Sequence, residues 1–189
     1  MSATVTGAES VEWDLSDLFE GPDDPRIEAE LAEASADARA FRERYRGKLG
    51  ELAAVELNEA VAELERIKSV SARVETYAGL RQAADSSDQA RGALVQKVRE
   101  RNTQVETELL FFDLEWSALG DDVADRLLAD PALEHYAAVL RSERRYKPYQ
   151  LTEPEEQIAA EKSITGVNAW SRLFNELLSD LRVSLDGQE

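Results

Sequence analysis

Histidine, cysteine and grouped carboxylates are the side chains from which most enzyme sites are built. This chain has one histidine, His135, no cysteine, and 39 aspartates and glutamates. Zinc and most transition-metal sites draw on two or more His or Cys ligands. Nucleophilic machinery of the Ser-His-Asp or Cys-His kind needs a histidine beside its nucleophile, and no thiol is available. The two-histidine HExxH pattern cannot be formed, and Ala132 stands where a Glu-x-x-His pair would need its glutamate. No EF-hand spacing and no glycine-rich phosphate loop occur. His135, near Leu133, Tyr136 and Leu140, reads as a packed or surface residue. No catalytic and no metal-binding residue is assigned, and the chain is not expected to do chemistry alone.

The basic side chains are less scattered. Arg141, Arg144, Arg145 and Lys147 form one cluster near a helix end, where cations complement the helix dipole. A contact with a partner domain or a peptide carboxylate is the alternative. Nucleic acid is not expected as a partner, because 22 Lys and Arg against 39 acids leave a net charge of −17 that repels phosphate. The opening residues have no basic start and no apolar core of a signal peptide, and no run long enough to span a membrane appears. With no cysteine, a cytoplasmic location is expected.

Amphipathic helices must position whatever site exists. Residues 1–20 read as an extended arm in which Trp13, Leu15, Leu18 and Phe19 lack a helical period. Asp24-Pro25 is a cap followed by proline in the first turn, and Ile27, Leu31, Ala34, Ala38, Phe41 and Tyr45 follow as a one-sided stripe. A second helix is expected from about residue 55 to 84, striped by Leu57, Val61, Leu64, Ile67, Val74 and Tyr77. A third follows Asp88 to about residue 119, striped by Leu94, Val98, Val105, Leu109, Phe112 and Trp116. Both would be about 45 Å long, the geometry of a bundle. Shorter elements come next: a helix over 121–129, another from Asp130-Pro131 to about Arg145, and a linker at 146–149. A capping box at Thr152–Glu155 then opens a helix that breaks near Thr165-Gly166 and resumes over about 168–181. Leu181 to Leu185 alternates like a strand, and Asp186-Gly187 is a hairpin signal without a returning strand. The fold class is therefore all-α, a bundle of long helices with shorter C-terminal ones and one terminal strand of an incomplete hairpin.

The segment Glu161-Lys-Ser-Ile-Thr-Gly, followed by Asn168-Ala-Trp-Ser-Arg-Leu-Phe174, resembles the N-terminal region of oligoendopeptidase F and related thimet-type zinc metallopeptidases. Trp13–Phe19, Tyr77–Asp88 and Leu110–Glu115 resemble further stretches of that family, in the family's order. The resemblance implies a helical domain covering one side of a deep channel that admits short peptides. It also implies zinc, held by HExxH and a later glutamate in a following domain, and no such position exists in these residues. The expected organisation is an arm (1–20), a helical N-terminal domain (21–182) and a hairpin strand (183–189) leading to an absent catalytic domain. Trp13, Leu15, Thr165, Gly166, Trp170, Arg172, Phe174 and Val183 are the candidate channel or interface residues. The expected partners are that catalytic domain and the oligopeptide substrate. A free-standing helical interaction module is the alternative.

Overall fold

The computed structural model describes residues 14–86 and 88–181. The first helix, α1 (Pro25–Tyr45), begins where its cap dictates. The Asp24 carboxylate accepts the Arg26 N–H at 2.9 Å, the Glu20 N–H at 2.9 Å and the Arg26 guanidinium at 2.6 Å. One carboxylate thus ties the incoming loop to the first helical turn. At the far end Gly47 adopts φ +79°, a left-handed geometry that a Cβ disfavours.

Helices α2 (Ala54–Ala84) and α3 (Gln89–Ala118) form a long hairpin. They run antiparallel, since Arg91 reaches the Arg81 carbonyl near the turn while Lys68 faces Asp113 further away. Asp88 caps α3 by accepting the Ala90 N–H at 2.8 Å. Ion pairs lay α1 across both: Arg66 with Asp37 and Arg73 with Glu30 on α2, Lys97 with Glu28 and Arg42 with Glu108 on α3.

The core lies in two apolar clusters along this three-helix body. One gathers Phe41, Leu57, Ile67, Phe111, Phe112, Trp116, Leu133 and Leu140. The other gathers Phe19, Ile27, Leu31, Val74, Tyr77 and Val98. The described part of the N-terminal arm docks on the second. Phe19 is 1% exposed and meets the Tyr77 ring edge-on at 5.1 Å. Between the clusters the stripes turn polar. Ser71 on α2 and Asn102 on α3 hold core positions, and Asn102 donates to the Ser71 carbonyl at 3.3 Å. In α3 the half-buried Leu94 only flanks the core, and Val95 takes the buried position instead.

Shorter elements close one end: α4 (Asp121–Leu128), a 3-10 turn (Pro131–Leu133), α5 (Ala137–Arg144) and a second 3-10 turn (Lys147–Tyr149). The helix expected from Asp130 to Arg145 is therefore split. Asp130 does cap its turn, accepting the Ala132 N–H at 2.9 Å. The tighter turn sinks Leu133 into the core and brings the Tyr136 hydroxyl to Glu65 on α2 at 2.7 Å before α5 starts. Helices α6 (Glu153–Thr165) and α7 (Val167–Asp180) finish the described chain. The chain is all-α, with no strand among the described residues. Of the expected terminal strand, Leu181 is described, as the extended residue capping α7. The remainder, with Val183, lies outside the described residues, as does Trp13.

Candidate functional site

Helix α6 is held at its N-terminal end. The Glu155 carboxylate accepts the Thr152 N–H at 2.9 Å and its hydroxyl at 2.7 Å, fixing the first turn. Glu153 pairs with Arg46 at 2.7 Å and lies 3.8 Å from Arg42, which anchors α6 to the end of α1. Gly166 then breaks the path. Its N–H donates to the Lys162 carbonyl at 2.8 Å, and a Cβ there would lie 2.7 Å from that same oxygen. The Gly166 carbonyl accepts the Trp170 N–H at 3.1 Å, so the next helix starts at the break.

The turn at Gly166 gives α7 an inverted orientation. Its polar edge, with Asn168, Ser171, Arg172 and Glu176, lines a cleft of about 560 Å³ against Gly79, Gln82 and Arg99 of the long hairpin. Arg172 donates to the Gln96 side chain of α3 at 3.2 Å. Trp170, Leu173, Phe174 and Leu177 lie on the other side and are exposed, Trp170 by 71% and Phe174 by 60%. A helix of a globular protein ordinarily turns its apolar side inward. Here that side points away from the body.

Sequence reasoning placed Thr165, Gly166, Trp170, Arg172 and Phe174 in one candidate interface, and the structure sets them on one helix corner but on different sides of it. Thr165 is exposed at the end of α6, Arg172 belongs to the cleft, and Trp170 and Phe174 form the outward face. Leu15 is apart from them. It is half-buried beside Phe19 and Tyr77 in a groove at the arm.

The basic cluster acts on neighbouring helix ends. The Arg144 guanidinium donates to the Trp116 carbonyl at 2.7 Å and the Leu119 carbonyl at 2.9 Å, pairs with Asp121 at 2.5 Å, and lies over the Trp116 ring. Lys147 also reaches the Leu119 carbonyl, and Arg141 reaches that of Leu128. These cations close the C-termini of α3 and α4. His135 is exposed, its ring edge-on to Tyr136. Among the described residues no three His, Cys, Asp or Glu side chains are grouped so as to hold a metal ion. None of the described helices is long and apolar enough to cross a membrane.

Fold and site together define an all-helical protein that presents an apolar helix face on a corner made by glycine. Residues 115–182 match the family model described as Oligopeptidase F, that of the N-terminal domain of these peptidases. The match runs from the last turn of α3 through α7, so the resemblance to the oligoendopeptidase F N-terminal domain holds for that stretch. It includes the Thr165-Gly166 break and the Trp170–Phe174 face, while the similar stretches at 13–19 and 77–88 precede it. No curated protein and no solved structure matches the chain.

Proposed function

We propose that this chain serves as the helical N-terminal domain of an oligopeptidase F-like zinc peptidase, covering one side of the channel in which short peptides are cut. The observation that carries the proposal is the outward apolar face of α7, which lies inside the matched residues and is left uncovered by the other described residues. Contiguous apolar surface of this kind marks an interface, and in this reading the catalytic domain covers it. The residues here do not suit zinc: His135 is exposed and stands alone, and the described acids are not grouped as ligands. The metal belongs to another segment, which would supply water activation. This chain contributes enclosure, a wall that excludes bulky substrates and water from the channel. Alone it is inactive.

The test joins the chain to a segment carrying HExxH, in one polypeptide or in trans. Zinc-dependent cleavage of short peptides, lost when Trp170 and Phe174 are both changed to glutamate, is the expected result. A complex that forms but cuts no peptide would refute the reading. The same α7 face supports a second reading, a free-standing module that binds a partner helix. That module would capture an amphipathic helix without any zinc-bearing segment.

A further inference from the structure

Two helical stripes that should be apolar throughout become polar at the same level. Ser71 is 8% exposed and Asn102 is 5% exposed, and both sit between the two apolar clusters. Asn102 uses its amide to donate to the Ser71 carbonyl at 3.3 Å and to the Glu75 carboxylate at 3.1 Å. Its own carbonyl oxygen, Oδ1, and the Ser71 hydroxyl have no hydrogen-bond partner among the described residues. Buried polar atoms are nearly always satisfied, and each orphan costs about 1–3 kcal/mol. A polar layer that only set the register of the hairpin would be expected to satisfy its own members.

Both side chains line a groove of about 450 Å³ between α2 and α3. The ion pairs of α1 use other positions on these helices, so the groove opens on the side away from α1. Its floor and walls carry Val105, Leu109 and Leu110, and Glu75 and Glu106 stand at the rim. The packed protein around Glu106 raises its carboxyl above the ordinary value, and the charge of Glu75 adds to the effect. Neither glutamate has an ion pair among the described residues, whereas Glu63 and Glu108 pair with Arg44 and Arg42 of α1. Lys68 sits at the other end, 3.9 Å from Asp113.

We infer that this groove binds a donor-rich organic cation, an alkylguanidinium or alkylammonium group, whose aliphatic stem lies on Val105, Leu109 and Leu110 and whose head bridges Glu75 and Glu106. The head group brings N–H donors toward a layer whose spare groups include the Asn102 carbonyl oxygen, an acceptor. Its charge relieves the repulsion between the two glutamates. A bare metal ion suits the groove poorly, because no three ligand side chains converge and the walls are aliphatic. The groove is built from residues 68–113, all outside the stretch that matches the peptidase family, so the inference stands without that reading.

The chemistry is shared by a free amine and by an arginine or lysine side chain of a peptide, and the experiment separates them. Agmatine, an acetylated and amidated tripeptide with a central arginine, and uncharged n-butylurea are each titrated into the labelled protein. The Asn102 side-chain amide resonance is followed by NMR. Both cations are expected to shift it and n-butylurea is not. The Glu75→Gln/Glu106→Gln double variant, altered only at exposed side chains, should weaken agmatine about tenfold or more. Tighter binding of the tripeptide than of agmatine identifies a polypeptide segment as the occupant, and the reverse identifies a free small cation. Absence of any shift at about 50 mM of either cation, a far weaker affinity than a built site gives, would overturn the inference. So would equal binding of n-butylurea, or undiminished binding to the double variant.

Discussion

At the scale of single residues, the carboxylates divide by what surrounds them, and the division sets how stability responds to pH. Hydrogen bonding to Arg26 holds the Asp24 carboxyl well below its ordinary value of 3.8, with the Arg26 and Glu20 amides adding to it. A group depressed in the folded state stabilises the fold above its unfolded pKa and loses that contribution as pH falls through the folded value. Asp24→Ala should therefore lower the melting temperature at neutral pH, and the gap should close in acid as the wild-type carboxylate is protonated. Asp113 behaves in the opposite sense. Burial raises its carboxyl above 3.8, and Lys68 only partly offsets this. Its stabilising share is present in acid and is lost as pH rises through the raised value. Asp113→Asn should thus raise the urea midpoint at neutral pH relative to wild type and change it little below about pH 4, the ordinary carboxylate range. Phe19 tests packing instead of charge. Its ring is fully buried against Tyr77, so Phe19→Ala should cost about 3–5 kcal/mol in urea denaturation. A loss below about 1 kcal/mol, the size of an ordinary surface change, would mean that the arm is not docked in solution.

Among the elements, Arg144 shows how much depends on which helix lies beside which. It reaches from α5 to three carbonyls at the end of α3 and to the carboxylate that opens α4. Arg144→Met takes the guanidinium away from both the Trp116 ring and those carbonyls, and should cost about 2 kcal/mol of unfolding free energy. The caps and breakers were legible in the sequence, because they act within four residues of themselves. Asp24-Pro25, Asp88, Thr152–Glu155 and Gly166 each bound a helix close to where their chemistry predicts. The long stripes were legible for the same reason. Three things were not. The split between Pro131 and Ala137 follows from Leu133 and Tyr136 meeting α2, and the duty of Arg144 follows from α5 lying across the end of α3. The Ser71–Asn102 layer needed two stripes set in register, which no single stripe reveals. The candidate interface was half legible: its residues were found, but the sides of α7 on which Arg172 and Trp170 fall depend on the turn at Gly166.

For the whole molecule, two opposed forces meet at α7, an apolar face that seeks cover and a net charge of −17 that keeps copies apart. The contact itself would bury Trp170, Phe174 and Leu177, which gain from leaving water whatever the salt. The repulsion is long-ranged and falls within a Debye length of about 8 Å at physiological ionic strength. Where the α7 face has no partner, raising sodium chloride should therefore strengthen self-association, read as a rising weight-average mass in sedimentation. An interface built of ion pairs would weaken under the same change. Trp170→Glu/Phe174→Glu should abolish the salt-driven rise. It should also move the unfolding free energy by no more than about 0.5 kcal/mol per site, because both side chains are exposed in the isolated fold. A double variant that unfolds instead would show these rings packed against the body, and the outward face of α7 would then not be available to any partner.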